Sequence, residues 1–298
     1  MGMSQPHHFQ KVITIINPAA TPTFPILSQL NQAFSQHGID WDIVLTKKTR
    51  DSRGMVEAVL AMQPDAIAVY GGDGTVLEVA AEFYGSELPL VILPGGTANI
   101  MAKELGIPLE ISSALNVFAG AATVQEVDVA VCDDGSPMIL RVEVGVLADM
   151  VKGVDRDQKD ALGVLAYPIS AVQNLVKAEP SQYHLILDDN VVEVEGVGLM
   201  VANFGNVGIP GISLQSSMSC TDGLLDVIVL ESKDLGSLLS LGTSTLIGLE
   251  KPPTVKHWQV KHLEVTVEPK QTILRDDASF AGDHFSVKVS DKKLKVLV

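Results

Sequence analysis

The sequence predicts two domains: an α/β domain built on a parallel sheet, followed by a β-sandwich domain. In residues 1–127 short apolar runs alternate with segments of helical periodicity, a pattern typical of strand–helix units packed around a parallel sheet. In residues 128–298 most apolar runs are β-rich and separated by Asp, Asn, Gly and Lys turns, which favours a sandwich or an open barrel. The last strand is a candidate to return to the first domain.

Four strand–helix units follow one another in the first domain. The predicted strands read KVITIINP, DWDIVLT, DAIAVY and LPLVILPGG. The first helix spaces its apolar residues helically between Ile26 and Phe34 and ends near Gly38. Further helices are predicted over residues 55–62 and 76–83, and the last one stops at Gly106, where a C-terminal glycine is expected.

The second domain is predicted to be mostly β-structure. Two helices are expected to interrupt it, over residues 161–177 and 235–249. The predicted strands read MILRVEVGV, YHLILDD, VVEVEGVGLMVANF, LLDVIVL, VKHLEVTVE, QTILRDD, HFSVKVS and KLKVLV.

Composition excludes several classes of protein. With 46% hydrophobic and 19% charged residues among 298, the chain has the composition of an ordered globular protein. A net charge of −15 argues against broad contact with nucleic acid. Neither a membrane span nor a signal peptide is evident, so we expect a cytoplasmic protein. Cys132 and Cys220 lack the spacing of a zinc site or a disulfide framework.

Two glycine-rich turns follow neighbouring strands. GGDGT, residues 71–75, follows the third strand, and GGT, residues 95–97, follows the fourth. Backbone amides at such turns and at helix N-termini bind anions, and open α/β sheets bind ligands at the carboxyl edge of their strands. One such turn alone is more often a tight turn with Thr75 as a helix N-cap, but two on neighbouring strands favour a phosphate site. Since GxGxxG and GxxxxGK[ST] are absent at the expected places, a dehydrogenase or a P-loop ATPase is disfavoured.

The order of motifs resembles the diacylglycerol kinase and sphingosine kinase catalytic family, including its bacterial lipid kinases. The matching segments are NP, GGDGTVLEVA, LPGGTANIMAKELGIP, KDALGVLAY and TDGLLDV, spread over nearly the whole chain. GGDGT alone is shared with NAD kinases and phosphofructokinases, whose α/β domain the first domain should resemble. The resemblance implies ATP as phosphoryl donor, Mg2+ as the metal and a lipid hydroxyl as acceptor, with the lipid held by the sandwich.

The resemblance also implies site residues. Asp73 would organise Mg2+, because this ion prefers oxygen ligands, and a structural Mg2+ would be bound by Asp222 with the carbonyl groups of Ser219 and Leu224. Asn99 has two interpretations of equal weight, nucleotide contact or helix cap. The predicted nucleotide-binding residues are Asn17, Thr46, Gly72, Asp73, Gly74, Thr75, Glu78, Gly96, Thr97 and Asn99.

Two segments depart from the family pattern. Family members usually show NPxSG in the first turn and Asp-Gly-Glu near the C-terminus, whereas this chain reads NPAATPTFP and ILRDDASFAGDHFSVKV. Alignment from the FSVKV strand puts Asp276, Asp277 and Ala278 at the Asp-Gly-Glu positions, which keeps the aspartate as candidate general base. A second alignment puts Ala281, Gly282 and Asp283 there, and we favour the first because of its spacing to the last strands.

The leading hypothesis is therefore an ATP-dependent lipid kinase with Asp276 and Asp73 as catalytic residues. The acceptor could be diacylglycerol-like, phosphatidylglycerol or a sphingoid base. The alternatives are a nucleotide- or lipid-binding protein of the same fold with little activity, and a kinase of a soluble acceptor such as NAD. The expected partners are the lipid and, transiently, a membrane surface, with no nucleic acid; a homodimer is left open.

Overall fold

The structure is a computed structural model that describes residues 9–18, 20, 25–46, 52–120, 122–152, 179–205, 218–231 and 255–298. The helices predicted over residues 161–177 and 235–249 lie outside these residues. The chain divides into two compact units, of which the first contains residues 1–127 and 291–298 and the second contains residues 128–290. Within the described part of the chain, no helix is both long and apolar enough to cross a bilayer.

The first unit is an α/β domain around a six-stranded sheet. The sheet order is β2-β1-β3-β4-β16-β5, and only β5 runs antiparallel to its neighbour. The carboxyl ends of β1 to β4 therefore meet at one edge. The strands are β1 (Lys11–Ile16), β2 (Asp40–Leu45), β3 (Ala66–Gly71), β4 (Leu90–Pro94), β5 (Val124–Val127) and β16 (Leu294–Leu297), and the helices are α1 (Ile26–Gln36), α2 (Ser52–Ala61), α3 (Asp73–Phe83), α4 (Ile100–Glu104) and α5 (Ile111–Gly120).

The burial of the central strands explains why they could be predicted from apolar runs in the sequence. All residues of β3 and β4 are buried, as expected for central strands with both faces covered. The edge strand β2 alternates exposed and half-buried residues instead. Helix α5 was not predicted, although its residues Leu115 and Phe118 are buried and the ring of Phe118 packs against Phe9 and Phe34.

The second unit is an antiparallel, β-sandwich-like domain. Its ten strands include the path β13-β12-β11-β8-β14-β15-β6-β7, with β9 pairing both β10 and β14. The strands are β6 (Ala130–Cys132), β7 (Pro137–Met138), β8 (Arg141–Gly145), β9 (Ser181–Leu187), β10 (Asn190–Gly196), β11 (Gly198–Ala202), β12 (Leu225–Leu230), β13 (Val255–Val260), β14 (His262–Arg275) and β15 (Ala278–Val289), and helix α6 spans Val146–Lys152.

The core of this domain is filled by alternate residues of most strands, among them Val142, Leu199 and Val227. Two predicted runs, VKHLEVTVE and QTILRDD, belong to the single long strand β14, whose register against β15 shifts between Thr266 and Gln271. Pro269 lies in this irregular part of the ladder, where a strand tolerates proline. Strand β13 and helix α6 were not predicted.

Candidate functional site

The predicted nucleotide-binding residues of the first domain lie along one edge of its sheet. Asn17 follows β1, Thr46 follows β2, Gly72 follows β3 and Gly95 follows β4. Because these four strands are parallel neighbours, their carboxyl ends lie side by side. This edge is where open α/β sheets bind ligands.

The two glycine turns touch each other through their backbones. The amide of Gly95 donates to the carbonyl of Gly71 over 2.8 Å. A Cβ atom added to Gly96 would lie 2.6 Å from the Cα of Gly72, closer than real Cβ contacts come. The glycines are therefore required by the contact between the two turns, and they also leave the backbone open to a ligand.

Asp73 links the two turns with its side chain. It is the first residue of α3, and its two carboxylate oxygens accept the amide hydrogens of Asn99, over 2.8 Å, and Ile100, over 2.5 Å. These amides open α4, where first-turn N–H groups have no partner within the helix. The aspartate of GGDGT thus fixes the second turn to the first.

Asn99 closes the second turn. Its backbone is left-handed, with φ of 49°, a conformation that asparagine tolerates better than most residues. Its side-chain amide donates to the carbonyl of Gly96 over 2.8 Å, and its side-chain oxygen accepts the Gly96 amide over 3.0 Å. Asn99 occupies the N-cap position of α4, as the helix-cap interpretation expected, but its side chain makes no capping hydrogen bond.

Asn17 and Thr75 also meet at this edge. The side-chain amide of Asn17 donates to the hydroxyl of Thr75 over 2.8 Å. Thr75 is buried and lies inside α3, whose N-cap is Gly72, so the interpretation of Thr75 as the cap was wrong. The amide of Thr46 donates to the carbonyl of Ile16 over 2.9 Å, as in a continued strand pair.

The remaining predicted residues of this edge differ in exposure. Gly74 and Thr97 are exposed, and Glu78 is half-buried one helical turn beyond Gly74. Exposed amides and a hydroxyl group on the turns can donate hydrogen bonds to a phosphate group. Their assignment to a nucleotide remains a prediction.

Substitution of Gly96 by alanine is expected to separate the two turns. Its Cβ would meet the Gly72 backbone at 2.6 Å, whereas a Cβ on Gly72 would meet Gly96 at 3.4 Å, an acceptable contact. We expect Gly96→Ala to lower the free energy of unfolding by about 1–3 kcal/mol, as overpacking does, and to weaken nucleotide binding. Urea unfolding and ATP titration would measure both effects. Gly72→Ala is the matched control, and an equal loss of stability in both variants would contradict the contact.

In the second domain, Asp276 lies on the two-residue turn that joins β14 to β15. Its backbone is left-handed, with φ of 49°. Its carboxylate accepts three successive amide hydrogens, those of Ile139 over 2.8 Å, Leu140 over 2.9 Å and Arg141 over 3.0 Å. Burial raises the pKa of the Asp276 carboxyl above its ordinary value, while the three amides and the charge of Arg141 act in the opposite direction.

The alternative alignment has a different structural setting. Gly282 lies within β15, opposite Gln271 of β14, and not at a turn. A Cβ on Gly282 would meet the side chain of Ile273 at 2.8 Å. The segment Ala281 to Asp283 therefore belongs to the ladder between β14 and β15, whereas Asp276 is presented by the turn.

Two charged side chains that the sequence analysis did not single out lie beside Asp276. Arg141 and Glu143 start β8, are 8% and 3% exposed, and form an ion pair in which Nε donates to Oε1 over 2.8 Å. Burial raises the pKa of Glu143, and the negative charge of Asp276 adds to this effect. The sequence feature that could have indicated this ion pair is the run ILRVEVGV, in which two opposite charges lie two residues apart in an otherwise apolar strand.

The predicted structural metal site lies on a tight turn before β12. Asp222 accepts the amide hydrogen of Leu224 over 3.0 Å, and Gly223 adopts a left-handed φ of 75°. The amide of Gly223 donates to the buried carboxylate of Asp128 over 2.7 Å. Ser219 bonds Thr221 within the same segment. Among the described residues no group of three His, Cys, Asp or Glu side chains could hold a metal ion, so binding here would depend on backbone carbonyls.

Two protein families match the chain. Residues 11–132 match the family described as diacylglycerol kinase catalytic domain, and residues 141–298 match the family described as YegS C-terminal NAD kinase beta sandwich-like domain. The two matches cover the α/β domain and most of the β-sandwich-like domain, respectively.

The chain is also similar in sequence or structure to individual proteins. A Pseudomonas savastanoi protein named "Probable lipid kinase YegS-like" is 30% identical over 69% of this chain and 68% of its own length. A Synechocystis protein without a functional name is 34% identical over 77% of this chain, which spans only 54% of that protein. The crystal structure of a candidate diacylglycerol kinase from Bacillus anthracis, 26% identical, covers 99% of this chain and 97% of its own with a TM-score of 0.81.

Proposed function

Because this chain belongs to the diacylglycerol kinase family of lipid kinases, we propose that it transfers the γ-phosphate of ATP to the hydroxyl group of a lipid. The observation that supports this most is the paired glycine turns at the carboxyl edge of the parallel sheet, held together by Asp73. Phosphoryl transfer depends mainly on positioning and on charge around the phosphate groups, which such a rigid pair of turns supplies.

The turns suit the phosphates of a nucleotide. Asp73 and Gly74 open α3, so their amides have no carbonyl partner within the helix, and the helix N-terminus favours negative charge. Gly96 and Thr97 of the second turn are exposed. Asn99 accepts the amide of Gly96 and donates to its carbonyl, which fixes the backbone on both sides of Gly96 before a ligand arrives.

Asp73 also fits a Mg2+ ion. A carboxylate has about four acceptor positions, and two of those on Asp73 are used by the amides of Asn99 and Ile100. The remaining positions could bind the ion or its water molecules. A bound Mg2+ would neutralise phosphate charge. On this proposal Asp73 has two roles, tying the turns and holding the metal, while Asp222 with the carbonyls of Ser219 and Leu224 would hold a structural ion.

Asp276 is the proposed general base. Three amides occupy three of its four acceptor positions, which leaves one for the hydroxyl group of the acceptor. That hydroxyl would lose its proton to Asp276 while its oxygen bonds to the γ-phosphorus and the bond to ADP breaks. A base works best when its pKa approaches the working pH, so the burial that raises the pKa of Asp276 favours this role.

A second candidate function is a nucleotide- or lipid-binding protein with little transfer activity. The altered first turn and the loss of acidic and glycine residues after Asp276 favour this alternative. A third, a kinase of a soluble acceptor such as NAD, draws on the family description of the second domain.

One experiment separates these functions. The purified protein would be incubated with γ-labelled ATP and Mg2+ together with diacylglycerol, phosphatidylglycerol or sphingosine in vesicles, or with NAD in solution. We expect label in a lipid product and sedimentation of the protein with the vesicles that contain its acceptor. ATP binding without labelled product would support the binding protein, and labelled NAD would support the soluble acceptor; either result would overturn the proposed lipid kinase.

A further inference from the structure

Asp276 is hydrogen-bonded to residues 139–141, the segment that leads into β8. Its carboxylate accepts the amides of Ile139, Leu140 and Arg141, and its own amide donates to the carbonyl of Arg141 over 2.9 Å. Four hydrogen bonds thus hold the turn against this segment. The position of the carboxylate is therefore set by β8, and the side chains that β8 presents nearby determine its electrostatic environment.

Those side chains form a buried ion pair with apolar flanks. Residues two apart in a strand point to the same face, so Arg141 and Glu143 lie side by side, joined by the 2.8 Å hydrogen bond from Nε to Oε1. Glu143 stands opposite Leu274 of β14 and Met200 of β11. With apolar neighbours on both adjacent strands, Glu143 depends on Arg141 for the stability of its charge.

The other charged groups near the turn are already paired or exposed. Arg275, the residue before Asp276, donates from one guanidinium nitrogen to both carboxylate oxygens of Asp134, over 3.0 and 2.8 Å. Asp277 is exposed to solvent, which screens its charge. Arg141 and Glu143 are buried charges that interact electrostatically with Asp276.

We propose that Arg141 and Glu143 are positioning residues for the candidate base. The guanidinium of Arg141 favours the ionised form of Asp276, and Glu143 limits this effect by orienting and partly neutralising the guanidinium. Glu143 thereby places a second buried carboxylate beside Asp276. It comes from β8, since the turn itself continues as Asp277 and Ala278 and lacks the glutamate of the family's Asp-Gly-Glu pattern. This inference rests on the proposed function, in which Asp276 accepts the proton of the lipid hydroxyl.

Substitutions of Glu143 and Arg141 are expected to shift the pKa of Asp276 in opposite directions. Glu143→Gln removes a negative charge beside Asp276, so the pKa of Asp276 should fall and the acidic limb of the kcat/KM profile should move to lower pH. Arg141→Gln should move that limb to higher pH. A buried opposite charge shifts a pKa by about 1 to 3 units, so each change should alter kcat/KM on this limb about tenfold or more.

The controls isolate charge from packing. Arg141→Lys keeps the charge and should leave the limb close to that of the unmodified protein. Glu231→Gln removes a carboxylate from a more exposed ion pair of the same domain, with Lys256 at 3.1 Å, and should leave the profile unchanged. If Arg141→Gln does not fold because Glu143 is left unpaired, the double variant with Glu143→Gln should fold, and its limb should lie between those of the single variants.

A second readout does not require activity. The carboxyl 13C resonance of Asp276, assigned by its loss in Asp276→Asn, can be titrated in the full-length protein. Its midpoint should fall in Glu143→Gln and rise in Arg141→Gln. Unchanged midpoints, or shifts in the same direction, would overturn the inference. If the protein phosphorylates no lipid, the proposed function fails, and the resonance still decides whether the ion pair acts on Asp276.

Discussion

Substitution of Asp276 by asparagine is expected to lower kcat for lipid phosphorylation about a thousand-fold, because the hydroxyl of the acceptor would lose its proton acceptor. Asparagine tolerates the left-handed backbone of this turn as aspartate does, so the hairpin should keep its conformation. It keeps one oxygen for the amides of residues 139–141 but turns an NH2 group toward another, which should cost about 2 kcal/mol of stability. Initial rates with saturating ATP and lipid, and urea unfolding, would measure the two effects.

Asp277→Asn is the matched control for this substitution. It removes an exposed carboxylate from the same two-residue turn and should change kcat and stability little. ATP affinity should be nearly unchanged in both variants, since the glycine turns belong to the other domain. Full transfer activity in Asp276→Asn would refute its assignment as the base, and so would equal losses in both variants.

Substitution of Asp73 by asparagine is expected to weaken ATP binding about 10- to 100-fold and to lower kcat further. One of the two amides at the start of α4 would lose its charged acceptor, a hydrogen bond whose loss costs about 1.5–3 kcal/mol. The second turn should then move away from the first. Calorimetric titration with ATP and hydrogen exchange at Asn99 and Ile100 would measure the weaker binding and the freed amides.

The metal dependence of this effect separates the two proposed roles of Asp73. If its main role is to tie the turns, Asp73→Asn should weaken binding of ATP both with Mg2+ and in EDTA. If it acts only as a metal ligand, the loss should appear only with Mg2+, and exchange at Asn99 should be unchanged. Glu82→Gln is a suitable control, because Glu82 is an exposed carboxylate on the same helix.

Local sequence patterns predicted the edge of the α/β domain on which the candidate site lies. Buried apolar runs with intervening helical periodicity indicated β1 to β4, and parallel strands place their carboxyl ends together. The glycines of the two turns were recognisable because few other residues fit such a close approach. Asn99 shows a limit of this reasoning: it occupies the N-cap position of α4, but its side-chain oxygen accepts the amide of Gly96 in its own turn and no amide of the helix.

The strand limits and side-chain contacts of the second domain were harder to predict, because they depend on pairing between strands that are distant in the sequence. The charges of Arg141 and Glu143 appeared in the sequence as an interruption of an apolar run, with no sign that Asp276, more than a hundred residues later, would meet them. The runs VKHLEVTVE and QTILRDD were predicted as separate strands, yet both belong to β14, whose irregular ladder accommodates Pro269. Strand pairing across such separations depends on the whole sheet and not on local propensity.

The sequence by itself determined the class of fold, the family pattern and the presence of two glycine-rich turns, since these depend on periodicity and on residues that allow special backbone conformations. The tertiary structure decided what the carboxylates of those motifs contact. Asp73 binds the amides of the second turn, and Asp276 binds those that lead into β8. Hydrogen-bond partners and burial arise only when distant segments meet, so the environment of a charged group is a property of the folded chain.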